Sequence, residues 1–182
     1  MTARSLVELE GGLDEIRRSP ADHGLLRLIV RRPVVEQREI LETAQLDTER
    51  GLVGDGWLAR GGKSTPDGSA NTDAQVTLMN ARFASHLAGS ADGWSAAGDQ
   101  LYVDLDIGTS NLPAGTRLAI GEAILEVSVT PHTGCAKFSG CFGVDALRFV
   151  STPEGRDLRL RGMNTRVVQG GTIRLGDRMS KA

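Results

Sequence analysis

The sequence predicts a mainly β protein with a few short helices, its sheet curled into a small barrel. Three observations lead there. Apolar and polar residues alternate in short runs, glycine-rich turns separate those runs (23 glycines in 182 residues), and helical spacing is confined to a few brief stretches. A chain of this length suffices for one domain with its own core. No internal repeat or linker divides it, so residues 23–182 read as a single domain behind an N-terminal arm of residues 1–22.

The arm is polar and breaks at Ser19-Pro20, which predicts a loosely packed segment or short helix. Leu25–Arg32 is aliphatic and stops at Pro33, a strand signal. Residues 38–46 fit a helix or a strand and are read as a strand. Gly51-Leu52-Val53-Gly54-Asp55-Gly56-Trp57 is a glycine-spaced turn, and Gly61 through Asp73 reads as a long surface loop. Lys63 in that loop does not continue into the helix a phosphate-binding loop requires. Val76–Met79 reads as a strand. Asn80 then reads as the N-cap of a helix over 81–87 that ends at Gly89.

The middle of the chain is β. Leu101, Val103, Leu105 and Ile107 alternate with Tyr102, Asp104 and Asp106, giving a strand with one wet face. Arg117–Ile120 and Ala123–Val129 form an expected hairpin around Gly121-Glu122. Val144–Val150 has helical spacing. Ser151-Thr152-Pro153-Glu154 offers a cap, an early proline and an acid for the start of another helix. Arg166–Val168 and Thr172–Leu175 flank Gly170-Gly171 and predict a closing hairpin.

Composition excludes several classes. With 21 basic and 23 acidic residues, a net charge of −2 and no basic block, nucleic acid is a poor partner. The longest aliphatic run, Leu25–Val30, is broken by Arg27 and is far too short to span a bilayer. The N-terminal residues lack the apolar stretch of a secretory signal, so a cytoplasmic location is expected. In that reducing setting the two cysteines read as free.

Chemistry concentrates in Pro131-His132-Thr133-Gly134-Cys135-Ala136-Lys137-Phe138. A thiolate is a nucleophile and a soft metal ligand, and a neighbouring cation favours it. In extended backbone Lys137 would project on the same side as Cys135. His132 can bond or deprotonate the thiol, or simply cap a loop. Lys137 can tune the thiol or be a solvated stem, and Cys135 itself can be a small buried hydrophobe. Cys141 reads as structural beside Phe142, with a second option as the resolving partner of an oxidised Cys135. A zinc site from His132, Cys135 and Cys141 lacks a fourth ligand and the close cysteine pair. Asp104 and Asp106 read as a solvated strand face.

Several segments in fixed order resemble the MOSC domains, the C-terminal module of molybdenum-cofactor sulfurases that also occurs alone. They are Gly51-Leu52-Val53-Gly54-Asp55, Gln75-Val76-Thr77-Leu78-Met79, the stretch 119–127 leading to Cys135, Arg161–Val168 and Gly170–Asp177. Two departures stand out. Gly56-Trp57 replaces a basic residue or His, and Gly98-Asp99-Gln100-Leu101 replaces a Gly-Glu-Asn-Leu segment.

The resemblance implies a strongly bent sheet forming a barrel, and a protein that carries sulfur or handles the molybdenum cofactor. It implies that Cys135 forms a persulfide or meets the metal as a thiolate, with His132 and Lys137 tuning it. It also implies cofactor contacts at Asp55, Asp99, Arg161, Asn164 and Arg166, arginine being suited to the cofactor's phosphate. The partner would be a molybdoenzyme or a cysteine desulfurase. Pyridoxal phosphate would belong to that desulfurase, because this chain has only three lysines and no scaffold for it. Two alternatives stand beside an enzyme: a non-catalytic carrier of the cofactor, and an interaction module switched by a Cys135–Cys141 disulfide.

Overall fold

Short alternating runs favour strands over helices along most of the chain, and the strands curl until the last meets the first. The computed structural model describes residues 3–62 and 65–182. Its strands are β1 (Gly24–Arg31), β2 (Glu39–Leu41), β3 (Thr43–Asp47), β4 (Gly51–Leu52), β5 (Val76–Asn80), β6 (Leu101–Asp104), β7 (Arg117–Ile120), β8 (Ala123–Val127), β9 (Met163–Gln169), β10 (Gly171–Arg174) and β11 (Arg178–Lys181). Seven of them close a mixed barrel in the order β1-β11-β7-β8-β9-β5-β6 and back to β1. Only β5 and β6 in this ring run parallel. β2 extends the sheet from β1, while β10, β3 and β4 form a separate small sheet.

The helices are α1 (Leu6–Glu10), α2 (Leu13–Arg17), α3 (Trp57–Arg60), α4 (Ala81–Ala88), α5 (Ala91–Trp94), α6 (Ala136–Phe142), α7 (Val144–Val150) and α8 (Pro153–Asp157). Several of them cover one side of the barrel, which explains why β1, β5 and β6 are apolar on both faces. Leu26 and Ile29 of β1, Val76 and Leu78 of β5, and Leu101 and Val103 of β6 fill the barrel. Their neighbours Leu28, Val30, Met79 and Tyr102 instead meet a second core with Phe83, Phe138, Phe142 and Phe149 from the helices. Each such side chain contributes about 1.5–3 kcal/mol by leaving water.

Sequence and structure agree on most elements. Asn80 caps α4, its Oδ1 accepting from Phe83 N at 2.9 Å, and Gly89 ends the helix at a φ of +80°. Thr152 caps α8, with Pro153 in its first turn. β7 and β8 pair as the expected hairpin. Residues 38–46 make two strands rather than one.

Two expectations are corrected and a third is narrowed. Residues 3–22 form short helices, one of the two readings, and not the loosely packed alternative: α1 and α2 bury Leu9 and Ile16 in the helix-side core. The strand at 101–107 has no fully wet face, because Tyr102 is buried there and donates to Trp94 O at 2.6 Å. The closing hairpin does not form. β9 pairs with β5 and β8, whereas β10 crosses to pair with β3, and the ring is shut by β11. Residues 1, 2, 63 and 64 lie outside the described residues, so the reading of Lys63 and those parts of the arm and long loop do too. Among the described residues no helix is long and apolar enough to cross a membrane.

Candidate functional site

The barrel rim where β8 ends and β9 begins carries a buried charge network. Asp99, just before β6, has a fully buried carboxylate. Its Oδ2 accepts from Arg161 Nη1 at 2.7 Å, and its Oδ1 lies 3.0 Å from His132 Nε2. Burial alone would raise the pKa of Asp99. The positive charge of Arg161 and the bond from His132 overcome that and pull it down to about 2. An ionised carboxylate only accepts, so His132 Nε2 carries the hydrogen and Nδ1 is left as the ring's basic atom. Burial lowers the His132 pKa despite the neighbouring carboxylate, which favours the neutral ring near pH 7.

Arg161 is held on several sides. Its Nη2 donates to Ala97 O at 3.0 Å, and its guanidinium lies 4.9 Å from the centre of the Phe138 ring. Its Nε, however, is buried without a partner. Gly162 beside it has a φ of +104°, and a Cβ there would sit 2.5 Å from Leu78 O and 3.2 Å from Asp99 Oδ1. Only glycine lets the backbone pass this close to the network.

A parallel pair braces the neighbouring loop. Asp55, with a fully buried carboxylate, accepts from Arg32 Nε at 3.0 Å, Arg32 Nη2 at 3.1 Å and Trp57 N at 3.0 Å. Arg32 Nη1 then donates to Gly98 O at 2.6 Å, next to Asp99. A Cβ at Gly56 would lie 2.7 Å from Pro33 O, so a larger residue does not fit where this chain departs from the MOSC pattern.

Against this rim lies a pocket of about 470 Å³ between the barrel and the α7–α8 corner. His132, Arg161, Asn164, Ser128, Arg156 and Arg159 are among the residues that line it. Arg161 Nε, Asn164 Oδ1 and Ser128 Oγ are buried polar atoms without hydrogen-bond partners. Orphaned groups of this kind are costly unless a bound molecule or water satisfies them. Arg159 is committed to Ile107 O and Leu112 O, at 3.2 and 2.7 Å, while Arg156 is exposed.

The sequence-predicted residues separate into distinct groups. His132, Arg161 and Asn164 meet in the pocket. Asp99 and Asp55 have both oxygens engaged by protein groups, so they position other residues rather than receive a ligand. Arg166 lies away from the pocket, exposed and paired with Glu126 at 2.5 Å. Cys135 is exposed at the N-cap of α6 and is not part of the pocket wall, although Gly134 is. Lys137 lies inside α6, where residues two apart point to different sides, so the extended geometry expected to set it beside Cys135 is not formed. His132 bonds Asp99 rather than the thiol.

Cys141 is exposed, not buried beside Phe142. Six helical steps separate it from Cys135 by about 9 Å of rise, beyond the reach of a disulfide. Among the described residues no three His, Cys, Asp or Glu side chains cluster to hold a metal. Sequence reasoning missed Arg32, Ser128 and Arg156. No local pattern marks them, since each takes its place through contacts made by distant segments.

Neither a family model nor a curated protein sequence matches the chain. Solved structures do. The crystal structure of a hypothetical protein aligns with a TM-score of 0.59 at 16% identity, over 88% of this chain and 68% of its own. The YuaD protein from Bacillus subtilis aligns at 0.58 and 15%, over 86% and 93%. YiiM from Escherichia coli aligns at 0.56 and 17%, over 87% and 69%. The chain shares their fold. At such identities the likeness extends to the barrel and not to any particular chemistry.

Proposed function

We propose that this chain is a MOSC-like protein that binds the molybdenum cofactor, or a closely related anion, in the rim pocket, with Cys135 carrying sulfur at its edge. The ordered motifs of the sequence and the shared barrel support the family reading. The observation that carries the ligand reading is the set of orphaned polar atoms on Arg161, Asn164 and Ser128 around one pocket. These residues fit an anionic group. Arg156 offers a free guanidinium and Ser128 a hydroxyl to the anion, Asn164 Oδ1 can accept from an N–H or O–H elsewhere on the same ligand, and His132 offers a basic nitrogen. Bound cofactor would supply the metal centre for transfer chemistry. The protein's own part is to hold the anion and, at His132 Nδ1, to take up a proton. Asp55 and Asp99 position the loops that do this.

Cys135 stands one residue beyond the pocket wall at Gly134, accessible to a partner protein such as a desulfurase that delivers sulfur as a persulfide. That same placement favours a second reading, a carrier that binds the cofactor and transfers no sulfur. One experiment separates them. The protein is purified from a host that makes the cofactor, assayed for molybdenum and pterin, and incubated with a cysteine desulfurase before mass spectrometry. Pterin together with sulfane sulfur on Cys135 supports the first reading, and pterin alone supports the carrier. A preparation with neither, whose Arg156→Gln variant behaves identically, overturns both.

A further inference from the structure

A second pocket, of about 560 Å³, lies outside the barrel between β1, β6 and the helices α2, α4 and α5, and shares no lining residue with the rim pocket. Arg4, Glu15, Arg27, Arg82, Trp94 and Asp104 are among the residues around it. Its charges are unequally satisfied. Arg82 donates to Asp104 Oδ1 at 2.7 Å and to Glu15 Oε1 at 2.9 Å, so both carboxylates are already engaged. Arg27 and Arg4, by contrast, form no hydrogen bond or ion pair among the described residues. Glu8, whose carboxylate Ser5 engages, attracts Arg4 only at longer range, so both guanidinium groups border the depression with no carboxylate bonded to them.

The backbone shows how Arg27 comes to be there. Leu26 lies opposite Val103 and Leu28 opposite Tyr102, so Arg27 is an extra residue with no partner on β6. Such a bulge interrupts the ladder and re-aims a side chain. Leu28 and Val30 on the same strand are buried under the helices, whereas Arg27 is exposed and lines the pocket.

We propose that this pocket binds a small phosphate compound, a phosphate monoester or diphosphate, through Arg27 and Arg4. Guanidinium forks match the oxygens of phosphate in pairs, and two of them suit a dianion. The volume lies within the range of small-molecule sites. Arg82, neutralised by its two carboxylates, acts as a wall rather than a ligand. Nothing in this proposal depends on the rim pocket or on Cys135.

The test is calorimetric titration of the full chain with inorganic phosphate and with pyrophosphate, at constant ionic strength. Arg27→Gln and Arg4→Gln are each expected to weaken pyrophosphate binding about tenfold or more, the loss of a charged hydrogen bond. Arg166→Gln, at an exposed residue outside both pockets, is expected to leave that binding unchanged. Circular dichroism confirms that the variants fold, as exposure of Arg27 predicts. The proposal is overturned if the parent shows no saturable binding, if both variants bind as the parent does, or if binding is lost in Arg166→Gln alone.

Discussion

Replacing Asp99 by Asn removes the charge that Arg161 and His132 share while keeping the shape of the side chain. The gap between an ordinary aspartate at 3.8 and about 2 in the fold, at about 1.4 kcal/mol per pH unit, corresponds to roughly 2 kcal/mol of preference for the ionised form. Because Arg161 keeps a side-chain exposure of only 7%, leaving it unpaired raises the expected loss toward about 3–5 kcal/mol. The sign follows from the direction of the shift. A carboxylate whose folded pKa is depressed contributes fully above its unfolded value, and the contribution is lost as pH falls through the folded value. Urea unfolding of parent and Asp99→Asn should therefore show a wide, constant gap from pH 7 to pH 5. The gap should narrow as the medium is acidified from about 4 toward about 2. At pH 7 the smaller figure already corresponds to a drop in Tm of about 4–8 °C. A variant within about 0.5 kcal/mol of the parent at pH 7, or a gap indifferent to acid, would refute the network's role.

Other expectations can be checked directly. Gly162→Ala must force a Cβ to 2.5 Å from Leu78 O at a positive φ, and should cost upwards of about 2 kcal/mol in chemical denaturation. Arg166→Gln removes only an exposed pair with Glu126, so a stability change beyond about 1 kcal/mol would contradict the surface assignment. Cofactor content should also be unaltered. Native alkylation should label Cys135 and Cys141 at similar rates, since both are exposed, and peptide mapping after diamide treatment should find no disulfide between them. Cys135→Ser should unfold at the parent's denaturant midpoint while abolishing any sulfane transfer, and retained transfer would remove the thiol from the chemistry.

The parts of the fold legible in the sequence are those encoded locally. Ala123–Val127 alternates cleanly because one side faces the barrel and the other does not. Asn80 and Gly89 announce the two ends of α4 through capping chemistry that needs no distant partner. β11 was not legible. Its residues are Arg, Met, Ser and Lys, of which only Met179 is buried, so its strand character comes from β1 and β7 on either side. The same distinction holds at the site. His132, Asp99 and Arg161 each stood out individually, but their meeting joins residues 33 and 62 positions apart. Arg166 misled for the opposite reason. It shares a face of β9 with Asn164, but it sits one step farther along the strand, opposite Glu126 of β8, which holds it outside the pocket.

The pairing of Gly24 with Met179 has a consequence for biosynthesis. A growing polypeptide assembles the hairpin of β7 and β8 early, but the ring stays open until β11 has emerged. A nascent chain halted before residue 178 exposes bare edges on β1 and β7, surfaces that invite chaperones or mispairing with a neighbouring nascent chain.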